Sequence, residues 1–169
     1  MVQLMLDIPQ YGHWLVTHKG DMSCRLLADR HYSRQTIGHP MFTRPGRNLV
    51  LRTASGDAVW VTWQGIRDDG LDAWECTIFR NESTILSSQL IREAVTATIF
   101  EWGAMPKDGI ITYVDANKIR STNPGCCFKM AGWKRIGVSK KRGLILLQYL
   151  STGNACRGGN VRGEEQWRN

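Results

Sequence analysis

The stretch WECTIFRN, then SSQLIREAVTATIFEWG, then IITYVD is the feature that most constrains this chain. A run of β-branched and aromatic residues is followed by seventeen residues with apolar positions at helical spacing, and then by a second apolar run. Leu90, Ile91, Ala94, Val95, Thr98, Ile99 and Trp102 line one face of the helical segment. Ser87 or Ser88 is placed to cap its start, and Gly103 to stop it. A strand, a helix and a strand in succession make a right-handed crossover, so the two strands are expected to be parallel neighbours. Ligands of such sheets bind beyond the C-terminal ends of the parallel strands. Arg80, Asn81, Glu82 and Ser83 follow the first strand, and Asp115, Ala116 and Asn117 follow the second. The start of the long helix points to the same edge and favours an anion there.

The rest of the chain builds outward from this unit. DMSCRLLADRHYS reads as a helix capped by Asp21 or Ser23, with Met22, Leu26, Leu27 and Arg30 on one side. NLVLRT, the turn ASGD and AVWVTW form a hairpin. NPGCCFKMAG is a short helix opened by Pro124 and stopped by Gly132. WKRIG and GLILLQYL are closing strands around the basic turn VSKKRG. Residues 1–20 are mixed in pattern and yield no assignment. The fold class is α/β: one domain over residues 1–150, with a mixed central sheet flanked by helices. Residues 151–169 lose apolar periodicity and are rich in Gly, Arg and Asn, and they are expected to form a mobile polar tail.

The chain has 169 residues and a formal net charge of +7, which favours a polyanionic partner or a merely solubilising surface. There is no apolar run long enough to cross a bilayer, and MVQLMLDIPQYGHW lacks the pattern of a signal peptide. A cytoplasmic location without a membrane is therefore expected. The five cysteines, Cys24, Cys76, Cys126, Cys127 and Cys156, show no CxxC spacing. No metal-ligand pattern is present, and reduced, packed thiols are the expectation. A reactive thiol is the alternative at Cys126, near a helix start. Among the seven tryptophans, Trp60, Trp63, Trp74, Trp102 and Trp133 are read as core or packed beneath the site. An exposed one would instead stack on a flipped base.

The element order, with a short helix before a hydrophobic last strand, resembles the GNAT (Gcn5-related N-acetyltransferase) fold over residues 20–150. Two of that fold's chemical parts differ. FRNESTILSSQL stands where GNATs carry a glycine-rich pyrophosphate loop, and it holds Arg80 but no glycine. CCFKMAGW has Phe128 where that fold often has a Tyr, and a phenyl ring cannot donate a proton. The words ADRHYSR, WECTIFRNES, LSSQLI, TYVDANKIR and NPGCCFKMAGW, in that order, are similar to phage DNA-modification proteins of the Mom kind, a divergent GNAT-like family. That resemblance implies a transferase adding an acyl-type group to the exocyclic amine of adenine in duplex DNA, which masks the DNA from restriction. It implies His31, Tyr32 and Asp115 as catalytic residues. It places Arg80, Asn81, Ser87 and Ser88 toward the donor, which it does not name; acetyl-CoA or a related acyl donor is a candidate. For a phage-encoded protein the location would be the host cytoplasm.

Each of these residues also has a plainer reading. Asp115 is either a base or a loop cap. His31 is either a base or stacking partner, or an ordinary helix-end residue. Arg80 binds a phosphate or pairs with Glu82 or Glu75. Ser87 and Ser88 cap the helix, with or without a phosphate. The basic residues Arg34, Arg44, Arg47, Lys118, Arg120, Lys140, Lys141 and Arg142 are candidates for a phosphate-binding surface on duplex DNA, together with Lys129, Lys134 and Arg135 nearby. Two rival functions stay open beside DNA modification. One is a CoA-dependent N-acetyltransferase acting on a small amine or a protein, and the other is a non-catalytic nucleic-acid-binding protein. The oligomeric state is left open.

Overall fold

The computed structural model describes residues 9–151. The segment read as a polar tail therefore lies outside the described residues, apart from Ser151, and so does Cys156. Eight strands and three helices occur in the order β1 (Gln10–Tyr11), β2 (Trp14–Thr17), α1 (Met22–Asp29), β3 (Arg47–Thr53), β4 (Ala58–Gln64), β5 (Trp74–Asn81), α2 (Ser87–Trp102), β6 (Ile110–Val114), α3 (Cys126–Met130), β7 (Lys134–Val138) and β8 (Ile145–Tyr149). They make one mixed sheet of order β1-β2-β3-β4-β5-β6-β8-β7. The chain is α/β, as expected. β5 and β6 are the parallel pair, and all other neighbours are antiparallel.

The sheet is covered on both faces. On one, α2 and α3 pack over Trp14, Leu51, Trp60, Trp74, Ile110, Phe128, Trp133 and Leu147. On the other, Cys24, Leu27 and Ala28 of α1 meet Phe42, Val50, Val59, Val61 and Ile78. Met22 and Leu26, expected on the inner side of α1, face solvent instead. The inward stripe is set by where α1 meets β4 and β5, which brings Cys24, Leu27 and Ala28 inside. Asp21 caps α1 by accepting the Cys24 amide hydrogen at 3.2 Å, so of the two candidate caps Asp21 serves.

Within the N-terminal stretch that gave no reading, Gln10–Tyr11 and Trp14–Thr17 form β1 and β2, and residues 1–8 lie outside the described residues. Trp14 on β2 is fully buried and its indole N–H donates to the Leu90 carbonyl at 2.8 Å. A four-residue strand whose register is held by one indole leaves little periodicity to read in advance. A second buried polar chain ties the sheet to the long helix. The Trp60 indole donates to Thr62 Oγ1 at 2.7 Å, Thr62 Oγ1 lies 2.9 Å from Thr98 Oγ1, and Thr98 donates to the Ala94 carbonyl at 2.8 Å. The two threonines are thereby buried with their polar atoms satisfied.

Two irregularities decide where a ligand fits. β5 and β6 pair only at Trp74–Ile110 and Glu75–Ile111, and no further pairing follows toward their C-terminal ends. One residue later the Thr112 hydroxyl spans to the Cys76 carbonyl at 3.0 Å. In the same place β5 carries a bulge: Thr62 is opposite Cys76 and Val61 is opposite Ile78, so Thr77 has no counterpart on β4. A bulge of one residue reverses the facing of everything after it. Trp74 and Cys76 lie on the α2 face, while Ile78 packs with α1.

Candidate functional site

The gap between the parted ends of β5 and β6 is a cleft of about 1010 Å³. Its walls are the outer half of β5, the end of β6, the segment after α1 and the N-terminal end of α3. Its lining is drawn from four stretches, residues 31–44, 75–81, 112–128 and 142–144, with Ala28 beside them. Of the residues expected at a site, His31, Tyr32, Arg34, Arg44, Arg80, Asn81, Asp115, Lys118 and Arg142 line the cleft. Ser87, Ser88, Arg47, Arg120, Lys140 and Lys141 do not.

His31 and Tyr32 follow the last turn of α1, and their rings stack at 4.4 Å with 28° between planes. The Ser33 backbone N–H donates to His31 Nδ1 at 3.3 Å, and the Ser33 hydroxyl lies 2.7 Å from the same nitrogen. A backbone amide can only donate, so Nδ1 is the bare nitrogen and the neutral ring carries its proton on Nε2. Burial, and then the nearby Arg80 charge, push the His31 pKa down to about 4. At neutral pH His31 is an uncharged ring with an N–H to offer. The Tyr32 hydroxyl reaches across to β6 and donates to the Tyr113 carbonyl at 3.4 Å. Burial raises its pKa, so it stays a protonated phenol.

Asp115 stands at the end of β6, where its Oδ1 accepts the Asn117 amide hydrogen at 3.1 Å. That is the loop-capping role, and it occupies one oxygen. Among the described residues the other oxygen has no hydrogen-bond partner. Arg80 makes the ion pair weighed against phosphate binding. Its Nε donates to Glu82 Oε1 at 2.6 Å and its Nη1 to the Arg30 carbonyl at 2.7 Å. Arg30 holds the same carboxylate through two bonds of 2.8 Å. Hydrogen bonds first from Arg30 and then from Arg80 hold Glu82 at a pKa of about 2.

Asn81 organises the turn into α2. Its side-chain nitrogen donates to the Ile85 carbonyl at 2.7 Å and to the Ser87 hydroxyl at 3.0 Å, and its oxygen accepts from the Ser83 amide and hydroxyl. The expectation that Ser87 or Ser88 caps α2 fails: the capping position is Leu86 and no side chain caps the helix. The helix starts one residue too early for Ser87 to cap it and two too early for Ser88, so both lie inside its first turn.

The basic residues divide by position. Arg34 is nearly buried, and all three of its nitrogens donate within its own loop, to Asp29, to the Met41 carbonyl and to the His39 carbonyl. Arg47 lies over the Trp102 ring at 4.4 Å, on the other side of the molecule's core from α1. Lys140 and Lys141 are in the exposed β7–β8 turn, where Lys141 is 3.4 Å from Asp68. Arg44, Lys118 and Arg142 remain as exposed cations on the cleft wall.

Several cleft features were not read from sequence. Thr77, the bulged residue, has a buried hydroxyl without a partner. Glu75 lines the cleft with a buried carboxylate held by Arg44 at 3.0 Å and Arg67 at 2.9 Å. Both guanidiniums lie against the Trp63 ring, at 5.4 and 5.5 Å from its centre. Arg67 also holds Asp69, which accepts the Tyr113 hydroxyl at 2.9 Å. A Glu inside an otherwise apolar strand was the one available signal for this network. Of the cysteine pair, Cys127 is half-buried beside the buried Phe128, and burial raises its thiol pKa. Cys126 is exposed on the cleft wall. Among the described residues no cluster of three or more His, Cys, Asp or Glu is grouped to hold a metal ion, and no helix is long and apolar enough to cross a membrane.

No family model matches the chain, no curated protein matches its sequence, and no solved structure matches its fold.

Proposed function

We propose that the protein is a GNAT-like, DNA-modifying transferase that joins an acyl-type group to the exocyclic amine of adenine and so protects DNA from restriction. The observation that carries this reading is the gathering of His31, Tyr32 and Asp115 in the one cleft where the parallel strands part. The strand order supports the GNAT-like part, with β8 inserted between β6 and β7 beyond the parallel pair. The cleft volume, at the upper end of the roughly 300–1,000 Å³ of single-ligand pockets, suits a base and a donor held together. Arg44, Lys118 and Arg142 fit an anionic donor or a DNA phosphate.

The roles follow from protonation state. Asp115, with one oxygen free of hydrogen bonds among the described residues, takes the proton from the amine nitrogen as the C–N bond forms. His31 presents Nε2–H to the charge that develops on the acyl oxygen. The Tyr32 phenol gives its proton to the leaving group as the bond to the acyl carbon breaks. The proton on Asp115 then restores Tyr32, so the net change moves one hydrogen from the amine to the leaving group. Arg80, tied to Glu82 and Arg30, positions this wall of the cleft, and burial together with the Arg80 charge keeps His31 neutral.

The deciding experiment is nucleoside mass spectrometry on DNA from cells expressing the protein, beside an Asp115→Ala control. A new adenosine-derived mass with the intact protein and its absence with the variant is the expected result. An unchanged profile with soluble, folded protein counts against the reading. The strand order equally favours a CoA-dependent N-acetyltransferase acting on a small amine or a protein. That alternative expects acetyl-CoA alone to raise the melting temperature.

A further inference from the structure

The loop after α1 carries an expensive arrangement with no role in the core. Arg34 and Asp29 are largely shielded, with side chains 10% and 11% exposed, and their ion pair is 2.7 Å long. The remaining Arg34 nitrogens donate to the carbonyls of His39 and Met41, and the second Asp29 oxygen accepts the Gly38 amide hydrogen at 3.1 Å. Gly38 turns the chain with φ +80°, and no atom lies within 4 Å of where a side chain would begin. Phe42 and Thr43 anchor the loop's return in the protein interior. Every one of these contacts fixes the backbone of residues 36–41 from below. Beside the exposed Thr36 and His39 they hold two large aliphatic side chains outward: Ile37 is 76% exposed and Met41 53% exposed, with Pro40 exposed between them. A mobile loop would need no such shielded ion pair, and a loop that merely connected two elements would gain nothing from large aliphatic side chains at its tip.

The same loop borders the cleft. Thr36, His39 and Met41 line it, and the exposed cations Arg44, Lys118 and Arg142 lie on its walls. A rigid tip with two aliphatic side chains beside a cationic cleft fits a stacked polyanion. Phosphates meet the cations, and an aliphatic side chain enters between base pairs at an unstacked step. An enzyme acting on a base inside a duplex must first take that base out of the stack.

We propose that the Arg34-stapled loop is a DNA wedge, with Ile37 and Met41 entering the duplex next to the base drawn into the cleft. This rests on the DNA-modifying reading above and adds to it the device that opens the duplex. Exposed tryptophan was the sequence's candidate for that task, but among the described residues Trp14, Trp60, Trp63, Trp74 and Trp133 are buried and Trp102 is covered by Arg47, while Trp167 lies outside the described residues.

The test uses the full chain and duplexes in which 2-aminopurine replaces one adenine, in every nearest-neighbour context. Binding is read by anisotropy and unstacking by the rise in 2-aminopurine fluorescence. The variant Ile37→Ala/Met41→Ala is expected to bind within about threefold of wild type, because phosphate contacts dominate affinity. Its fluorescence rise is expected to fall roughly tenfold, the scale of losing aliphatic contact at an unstacked step. Ile37→Phe, still a large apolar group, is expected to keep the rise. A double variant that binds and brightens like wild type overturns the wedge and leaves the transferase reading standing. Wild-type binding with no brightening in any context also overturns it, and favours a protein that holds DNA without opening it. Absence of wild-type binding to any duplex overturns the wedge and the DNA reading together.

Discussion

Two clusters of the same composition, each a carboxylate gripped by two arginines, flank the cleft in different surroundings. Glu82 sits at the open end of β5 with its side chain 33% exposed, held by Arg30 and Arg80. Glu75 sits at the closed end, 4% exposed, held by Arg44 and Arg67. Solvent screens the first, whereas the second is surrounded by Trp63, Arg67 and the sheet. The same chemistry is therefore a surface ornament of the strand end in one case and a structural joint in the other. The closed-end network also reaches the cleft through Asp69 and Tyr113, so it sets the shape of the wall opposite α1.

The largest effect should come from removing the buried carboxylate. Glu75→Ala leaves Arg67 half-compensated by Asp69 and frees Arg44, and it is expected to destabilise the fold by about 3 kcal/mol. In a chain of this size that is a fall of about 10 °C in melting temperature by calorimetry. A fall of only a degree or two would mean that water reaches Glu75 and that the two clusters are alike. A smaller effect is expected on acidification. Burial alone would raise the Asp69 carboxyl; its bonds from Arg67, the Leu71 amide and Tyr113 outweigh this and hold it at about 2. Glu82 is held at about 2 by Arg30 and Arg80. Both folded-state values lie below the unfolded ones, so both groups bind protons less readily when folded. Their contribution is complete above about pH 4.5 and is lost as pH falls toward about 2. Urea midpoints across that range should decline, and Glu82→Gln should make the decline shallower. The smallest effect is Glu82→Ala at neutral pH, expected to cost less than about 1 kcal/mol. A loss as large as that of Glu75→Ala would show that the open-end cluster also bears the fold.

Much of the frame was legible from residue pattern. The hairpin, the strand–helix–strand unit and the closing strands follow from periodicities that packing on a sheet requires, and Gly103 ends α2 as its conformation permits. Asp21 was legible as a cap because a short oxygen-bearing side chain precedes a helical run. The serines of α2 misled for the converse reason. They match the composition of a cap, but the helix begins at Ser87, and Asn81 engages the Ser87 hydroxyl. The site was legible in part. Strand-end reasoning placed Asp115, Arg80 and Asn81 on the cleft, and resemblance added His31 and Tyr32. The basic residues were legible only as charge, and their division into a loop staple, a Trp102 cover and the three cleft cations depended on contacts distant in sequence.

The sequence by itself determined the order and kind of the main elements, the parallel pair and the edge at which the cleft opens, because these depend on local spacing and on the handedness of the backbone. Tertiary structure alone decided the bulge at Thr77 and the parting of β5 from β6 after two residue pairs. It also decided which carboxylate is buried and which is wet. Each of these depends on a neighbour dozens of residues away or on a one-residue slip in register, and neither leaves a mark in the spacing of side chains along one strand.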